Sequence, residues 1–122
     1  MTSGLVVTMD NVNGPSPAPL PVVVDVFERG CAVPAELERL GTPVEIRALP
    51  AGDYAIGDAL VERKSVPDLH GSLARGRLFA QVGRIRDEAA FPYLLVEGPD
   101  LDAGDRHPDA IRGALLAIAE VG

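Results

Sequence analysis

Short apolar runs alternate with polar breaks along this chain, and the breaks carry the turn residues. Residues 22–27 are apolar except for Asp25 and are followed by Glu28, the pattern of a buried strand with its functional end at the tip. Residues 34–40 read as a short helix, with Pro34 near its first turn and Gly41 closing it. Residues 44–49 alternate as a strand, and Pro50-Ala51-Gly52-Asp53 is a turn. Residues 54–56 and 60–64 then form a hairpin through Gly57-Asp58. Ser65 stands as the N-cap of a helix with Pro67 inside its first turn. Residues 76–90 form a longer helix with Leu78, Phe79, Val82, Ile85 and Ala89 along one face. Residues 93–96 are another buried strand, 102–107 a loop, and 108–121 a final helix rich in Ala, Leu and Ile. The apolar face of that helix packs on the sheet or on a second subunit. The alternation predicts an α/β fold with a mixed central β-sheet flanked by helices.

Residues 1–21 stand apart. Asn13 to Pro21 is a Pro-rich breaker run, expected to be extended or flexible. Leu5 to Val7 has the composition of a short strand. The expected organisation is a flexible N-terminal segment over 1–21 and one folded domain over 22–122.

A chain of 122 residues suits one domain with a modest core. With 47% hydrophobic but only 4% aromatic residues, that core must be built from Val, Leu, Ile and Ala. No apolar run approaches the roughly 20 residues of a membrane helix, and no basic-then-apolar leader opens the chain. No membrane partner is expected. Cys31 is the single cysteine, which excludes an internal disulfide, suits a reducing cytoplasm and reads as a buried structural thiol.

The net charge of −7 opposes binding to phosphates, but the charge is unevenly placed. Arg75, Arg77, Arg84 and Arg86 fall in one stretch with no acid between them, just after Arg63 and Lys64. Much of the acid lies in the first helix and at 97–109. By spacing alone the arginine stretch is a solvated helix face. If it meets DNA, binding by this domain should be weak and salt-sensitive.

The chemistry concentrates in Gly52-Asp53-Tyr54 and in Val61-Glu62-Arg63-Lys64-Ser65-Val66-Pro67-Asp68. Glu62 and Lys64 share one face of a strand, and Arg63 takes the other, where it supports the fold or pairs with Asp68 rather than touching substrate. Two carboxylates can hold a hard divalent cation, and a lysine beside it can orient or help deprotonate a water. That is minimal equipment for hydrolysing a phosphodiester. Taken alone, Glu-x-Lys on an exposed strand is equally an ordinary surface hairpin. Asp53 is a turn carboxylate or a ligand. Asp25 is either satisfied by backbone N–H groups or paired with a cation, and the cost of burying it after three valines favours the cation. Glu28 supports the site, serves a second metal, or simply starts a loop. Asp68 follows Ser65 by three residues, the spacing of a capping box, so it caps a helix or acts in catalysis. Arg77 and Gln81 are one helical turn apart and share a face. His70 and His107 lack a second His or Cys at ligand spacing and read as surface or helix-end residues.

Together these motifs resemble the nuclease domain of the XPF/Hef-type structure-specific endonucleases. Its signature is G-D-Y followed by V-E-R-K-x-x-x-D on a PD-(D/E)XK-like core. Residues 22–28 resemble the family's opening strand, which ends in D-x-R-E. Gly71 to Gln81 is similar to its G-S-L-x-x-G-R-L-x-x-Q helix, and Pro92 to Gly98 to the following buried strand. The resemblance runs over about residues 22–120 in the family's order. It implies a restriction-endonuclease-like fold and a Mg²⁺- or Mn²⁺-dependent endodeoxyribonuclease. Asp53 and Glu62, helped by Asp25, would be the metal ligands, and Lys64 the water-activating cation. Glu28, Arg63 and Asp68 complete the implied catalytic set. Arg75, Arg77, Gln81 and Arg84 would face DNA. Implied substrates are flaps, forks and bubbles in DNA repair or recombination. Implied partners are a second copy or a related subunit, meeting through the last two helices, and the implied location is the nucleoid or the nucleus.

Two departures stand out. Phe27 occupies the place where the family commonly has Arg, so Arg29 substitutes or that function is weakened. The match also stops before the last strand and helix usual in family nuclease domains and before their tandem helix-hairpin-helix module, which this domain is expected to lack. The competing reading is a catalytically silent DNA-binding or scaffold subunit. Against it, the acid and lysine positions are all filled.

Overall fold

The computed structural model describes residues 4–8 and 20–121. Its strands are β1 (Gly4–Thr8), β2 (Val22–Asp25), β3 (Val44–Arg47), β4 (Tyr54–Ile56), β5 (Ala59–Ser65) and β6 (Phe91–Glu97). The α-helices are α1 (Ala32–Arg39), α2 (Val66–Ala74), α3 (Leu78–Glu88) and α4 (Pro108–Val121). Among the described residues the strands form one sheet in the order β1-β6-β5-β4-β2-β3. β5 runs parallel to β6 and antiparallel to β4, and β2 runs parallel to β3, so the sheet is mixed.

Local sequence accounts for the turns that set this register. Gly57 takes φ +56° between β4 and β5, a conformation that L side chains rarely adopt. Ser65 ends β5 and caps α2, its Oγ accepting from the Asp68 N–H at 3.2 Å, with Pro67 in the first turn. Asp25 ends β2 and caps a 3₁₀ turn over Val26–Glu28.

Alternation along β5 sorts its residues between two cores. Leu60 joins Val66, Leu69, Leu78, Val82, Ile85, Leu94 and Val96 under α2, α3 and α4. Val61 packs on the other face with Val22, Val24, Tyr54 and residues of α1. Burying each large side chain of these clusters contributes about 1.5–3 kcal/mol. Glu62 and Lys64 share the face of Leu60, beneath α2 and α3. Ile111, Ala114, Leu115 and Ile118 sit in the larger core, so the apolar face of α4 packs within the fold.

Several expectations are corrected. β2 stops at Asp25, and Phe27 lies on the 3₁₀ turn, 92% exposed rather than buried in a strand. Phe79 turns away from the face of α3 that holds Leu78, Val82 and Ile85, and is half exposed. His70 is buried, not on the surface. Its Nε2 meets the Leu101 carbonyl at 2.9 Å and its Nδ1 accepts from the Arg106 N–H at 3.0 Å, which pins the loop before α4. Cys31 is only half-buried. β1 pairs antiparallel with β6 from Gly4↔Glu97 to Thr8↔Tyr93, so the sheet draws on residues ahead of the expected boundary at 21. The Pro-rich run over 13–19 lies outside the described residues.

Candidate active site

Asp53 is held where β2, β4 and β5 meet. Gly52 before it takes φ +77°, and an added Cβ there would lie 3.3 Å from both Ile85 Cγ2 and the Val61 carbonyl oxygen. The Asp53 N–H donates to the Val61 carbonyl at 2.8 Å, and the Asp53 carbonyl accepts from the Asp25 N–H at 2.9 Å. Its carboxylate then accepts from the backbone N–H of Arg63 at 2.8 Å. That last bond sets it beside Glu62.

The two carboxyls crowd one another. Burial pushes the Glu62 carboxyl up to about 7, and the charge and hydrogen bonding of Asp53 push the same way. Lys64 and Arg84 pull it down only in part. Burial also raises Asp53, against the stabilising Arg63 N–H. Such a pair disfavours two negative charges unless a cation joins them.

A cleft of about 230 Å³ opens over this end of the sheet, lined by Asp25, Phe27, Glu62, Gln81, Arg84 and the 49–52 turn. The Gln81 side-chain oxygen is buried there without a hydrogen-bond partner. Among the described residues no three His, Cys, Asp or Glu side chains cluster closely enough to hold a metal by themselves. The donor set is therefore two adjacent carboxylates with an orphaned carbonyl oxygen nearby. The carboxylate pair suits a hard divalent cation that keeps several of its waters.

Lys64 is buried, and its ammonium donates to Ser72 Oγ on α2 at 3.0 Å. Ser72 belongs to the Gly71–Gln81 motif, but sequence reasoning gave it no role. Gln81 and Arg84 line the cleft, whereas Arg75 and Arg77 do not. Arg75 ends α2, with its guanidinium over Gly71, and Arg77 stands just before α3 without a capping side-chain bond.

The remaining candidates are brought to different work. Asp25 accepts from the Phe27 N–H at 3.1 Å and the Leu49 N–H at 2.8 Å, one on each oxygen. Backbone donors thus account for its burial, and the expected cation partner is not required. Arg63 lies on the opposite face of β5 and pairs with Glu97 and, at 3.4 Å, with Glu28, not with Asp68. Glu28 also accepts from the Cys31 thiol at 2.9 Å. That bond, with burial, raises the thiol above its ordinary range and keeps it protonated. Glu28, Arg63 and Glu97 form a charge network that ties the 3₁₀ turn, β5 and β6 together behind the carboxylates. Asp68 is exposed at the start of α2, where its N–H is capped by Ser65.

The crowding is testable without any metal. The ordinary Glu value is 4.5, and the folded chain holds the Glu62 proton up to about 7. Across that window the native state binds more protons than the unfolded state, so this group's contribution to stability falls as pH rises. In EDTA, Glu62→Gln is expected to melt higher than wild type at pH 8 and to flatten the decline between pH 5 and 8. A lower melting temperature for Glu62→Gln at pH 8 counts against the crowded pair.

A mixed sheet whose central strand presents an acid and a lysine on one face, beside a second acid from the preceding turn, defines a class. It is the restriction-endonuclease-like nuclease fold. The chain belongs to the ERCC4 domain family, whose model matches residues 24–121. The DNA repair endonuclease XPF of Cricetulus griseus is 40% identical over 105 residues, 85% of this chain. The 3'-flap repair endonuclease Xpf of Saccharolobus solfataricus is 41% identical over 78 residues, 63% of this chain. XPF from Aeropyrum pernix superposes with a TM-score of 0.76 at 36% identity, over 83% of this chain and 49% of that one. The same protein in complex with DNA gives 0.68 at 31% identity, over 81% and 50%. The chain spans 11% of the Cricetulus relative and 34% of the Saccharolobus one.

Proposed function

We infer that this domain is the catalytic unit of a metal-dependent, structure-specific DNA endonuclease that cuts near duplex-to-single-strand junctions such as flaps, forks and bubbles. The observation that carries the reading is the Asp53–Glu62 carboxyl pair, with Lys64 on the same strand face as Glu62 and a cleft bordered by Gln81 and Arg84. ERCC4-domain relatives are DNA repair endonucleases, and the family uses divalent metal generally.

Asp53 and Glu62 are the residues that would hold Mg²⁺ or Mn²⁺, with Asp25 at the cleft wall. When bound, the cation supplies Lewis-acid charge to a phosphate oxygen and acidity to a water. The chain's own groups do the rest. Arg84 and Gln81 seat the DNA backbone at the mouth of the cleft. Lys64, kept charged-side inward by Ser72, faces the attacking oxygen and the charge that grows on the phosphate. Water adds to phosphorus, one P–O ester bond breaks, and the leaving oxygen takes a proton. Arg63 and Glu28 act by holding β5, and Asp68 by starting α2.

Partners follow from the same reading: junction DNA, and a second copy or a related subunit. With the apolar face of α4 buried in the fold, Phe79 on α3 and Leu116 on α4 are the exposed large apolar side chains of the last two helices among the described residues. No helix among the described residues is long and apolar enough to cross a membrane. We place the protein with DNA, in the nucleoid or the nucleus.

The test is cleavage of end-labelled flap, fork and plain duplex DNA at low salt, with Mg²⁺, with Mn²⁺ and with EDTA. Nicking near the junction that depends on metal and spares plain duplex is the expected result. A well-folded chain that binds junction DNA but never cuts it would move the reading to the silent-subunit alternative.

A further inference from the structure

Phe27 is the most exposed large apolar side chain among the described residues, 92% accessible, and it lines the same cleft as Glu62, Gln81 and Arg84. No packing role in this domain explains it. Its backbone, by contrast, is firmly held. The Phe27 N–H is bonded to Asp25 at 3.1 Å. The next residue, Glu28, is buried and bonded to the Arg63 guanidinium and the Cys31 thiol. A bare ring is thus presented on a fixed turn at the edge of the cleft.

We propose that Phe27 is a specificity-determining residue that stacks on an unpaired base at the single-stranded side of the junction. This rests on the nuclease reading above and adds the means of telling an open strand from a closed duplex. In duplex DNA both faces of each base are already stacked, whereas an unpaired base offers a face to an aromatic ring. Such stacking tolerates any sequence because every base has one. The anchored turn lowers the ordering cost of the contact. Arg84 and Gln81 in the same cleft supply the polar contacts that hold the strand while the ring engages its base.

The experiment measures affinity of the whole chain, in EDTA, for a fluorescent fork and for a plain duplex of equal length. A 2-aminopurine is placed at the first unpaired position of the fork. Phe27→Ala is expected to weaken fork binding roughly tenfold, leave duplex binding unchanged and abolish the 2-aminopurine quench. Phe27→Tyr keeps the ring and should restore both signals. The melting temperature of Phe27→Ala should match wild type, because the ring is solvated in the fold. Equal loss on fork and duplex, or a fork preference that survives in Phe27→Ala, overturns the inference while leaving the nuclease reading intact. Lost self-association with unchanged fork affinity overturns it in favour of a protein contact. A wild-type chain that binds neither DNA overturns both.

Discussion

Lys64→Ala should lower metal-dependent cleavage of junction DNA by roughly a hundred- to a thousand-fold, the range seen when one preorganised stabiliser of transition-state charge is removed. The loss should fall on the rate at saturating DNA, with little change in affinity, because the ammonium is buried and its charge acts on the Asp53–Glu62 pair rather than being offered at the surface. Lys64→Arg should not rescue. The site beneath α2 is fitted to one small donor group 3.0 Å from Ser72 Oγ, and a planar guanidinium would not fit it. Ser72→Ala should give an intermediate loss, since the charge remains but its orientation is released. Single-turnover rates on a labelled fork decide the matter. If Lys64→Ala changes only affinity, the lysine is a DNA contact and the mechanism assigned to it is wrong.

The second large effect is expected from Gly52→Ala, which adds one methyl group and removes no functional atom. At φ +77° an alanine costs about 1–2 kcal/mol in backbone strain. Its Cβ would also press on Ile85 and on the carbonyl of Val61, the group that receives the Asp53 N–H. The melting temperature should fall by roughly 5–15 °C. Well below that temperature, cleavage should still fall several-fold, because the carbonyl that positions Asp53 must give by a few tenths of an ångström. Thermal melts and cleavage rates measured together separate the two effects. A variant that melts lower yet cuts at the wild-type rate at 25 °C shows that the Gly52 turn serves stability alone.

What could be read from the sequence follows the range over which each feature is determined. The hairpin of β4 and β5, the Ser65 cap and the shared face of Glu62 and Lys64 depend on neighbours within a few residues, and all appear as expected. The approach of Asp53 to Glu62 was legible because a single short turn joins their strands. The pairing of Arg63 with Glu97 and Glu28 spans 34 and 35 residues. Nothing local announces it, and the nearer acid at Asp68 suggested a different partner. His70 misled for the same reason: its partners, Leu101 and Arg106, come from a loop 31 and 36 residues away. For Asp25 the sequence favours a cation over backbone N–H donors, because such donors carry no mark in a sequence. Phe27 and Phe79 were assigned inward by periodicity, and periodicity does not register where a strand turns into a 3₁₀ helix or which edge of a helix face lies past the core.

β5 has β4 on one side and β6 on the other, and its pairing with β6 runs unbroken from Ala59↔Phe91 to Ser65↔Glu97. Both Glu62 and Lys64 therefore belong to the part of the molecule that opens last. Fraying at the outer strands leaves their spacing untouched, and separating them means melting the whole domain. On the nuclease reading, this acid and this lysine are held all-or-none: local fraying leaves them in register, and only unfolding of the domain parts them.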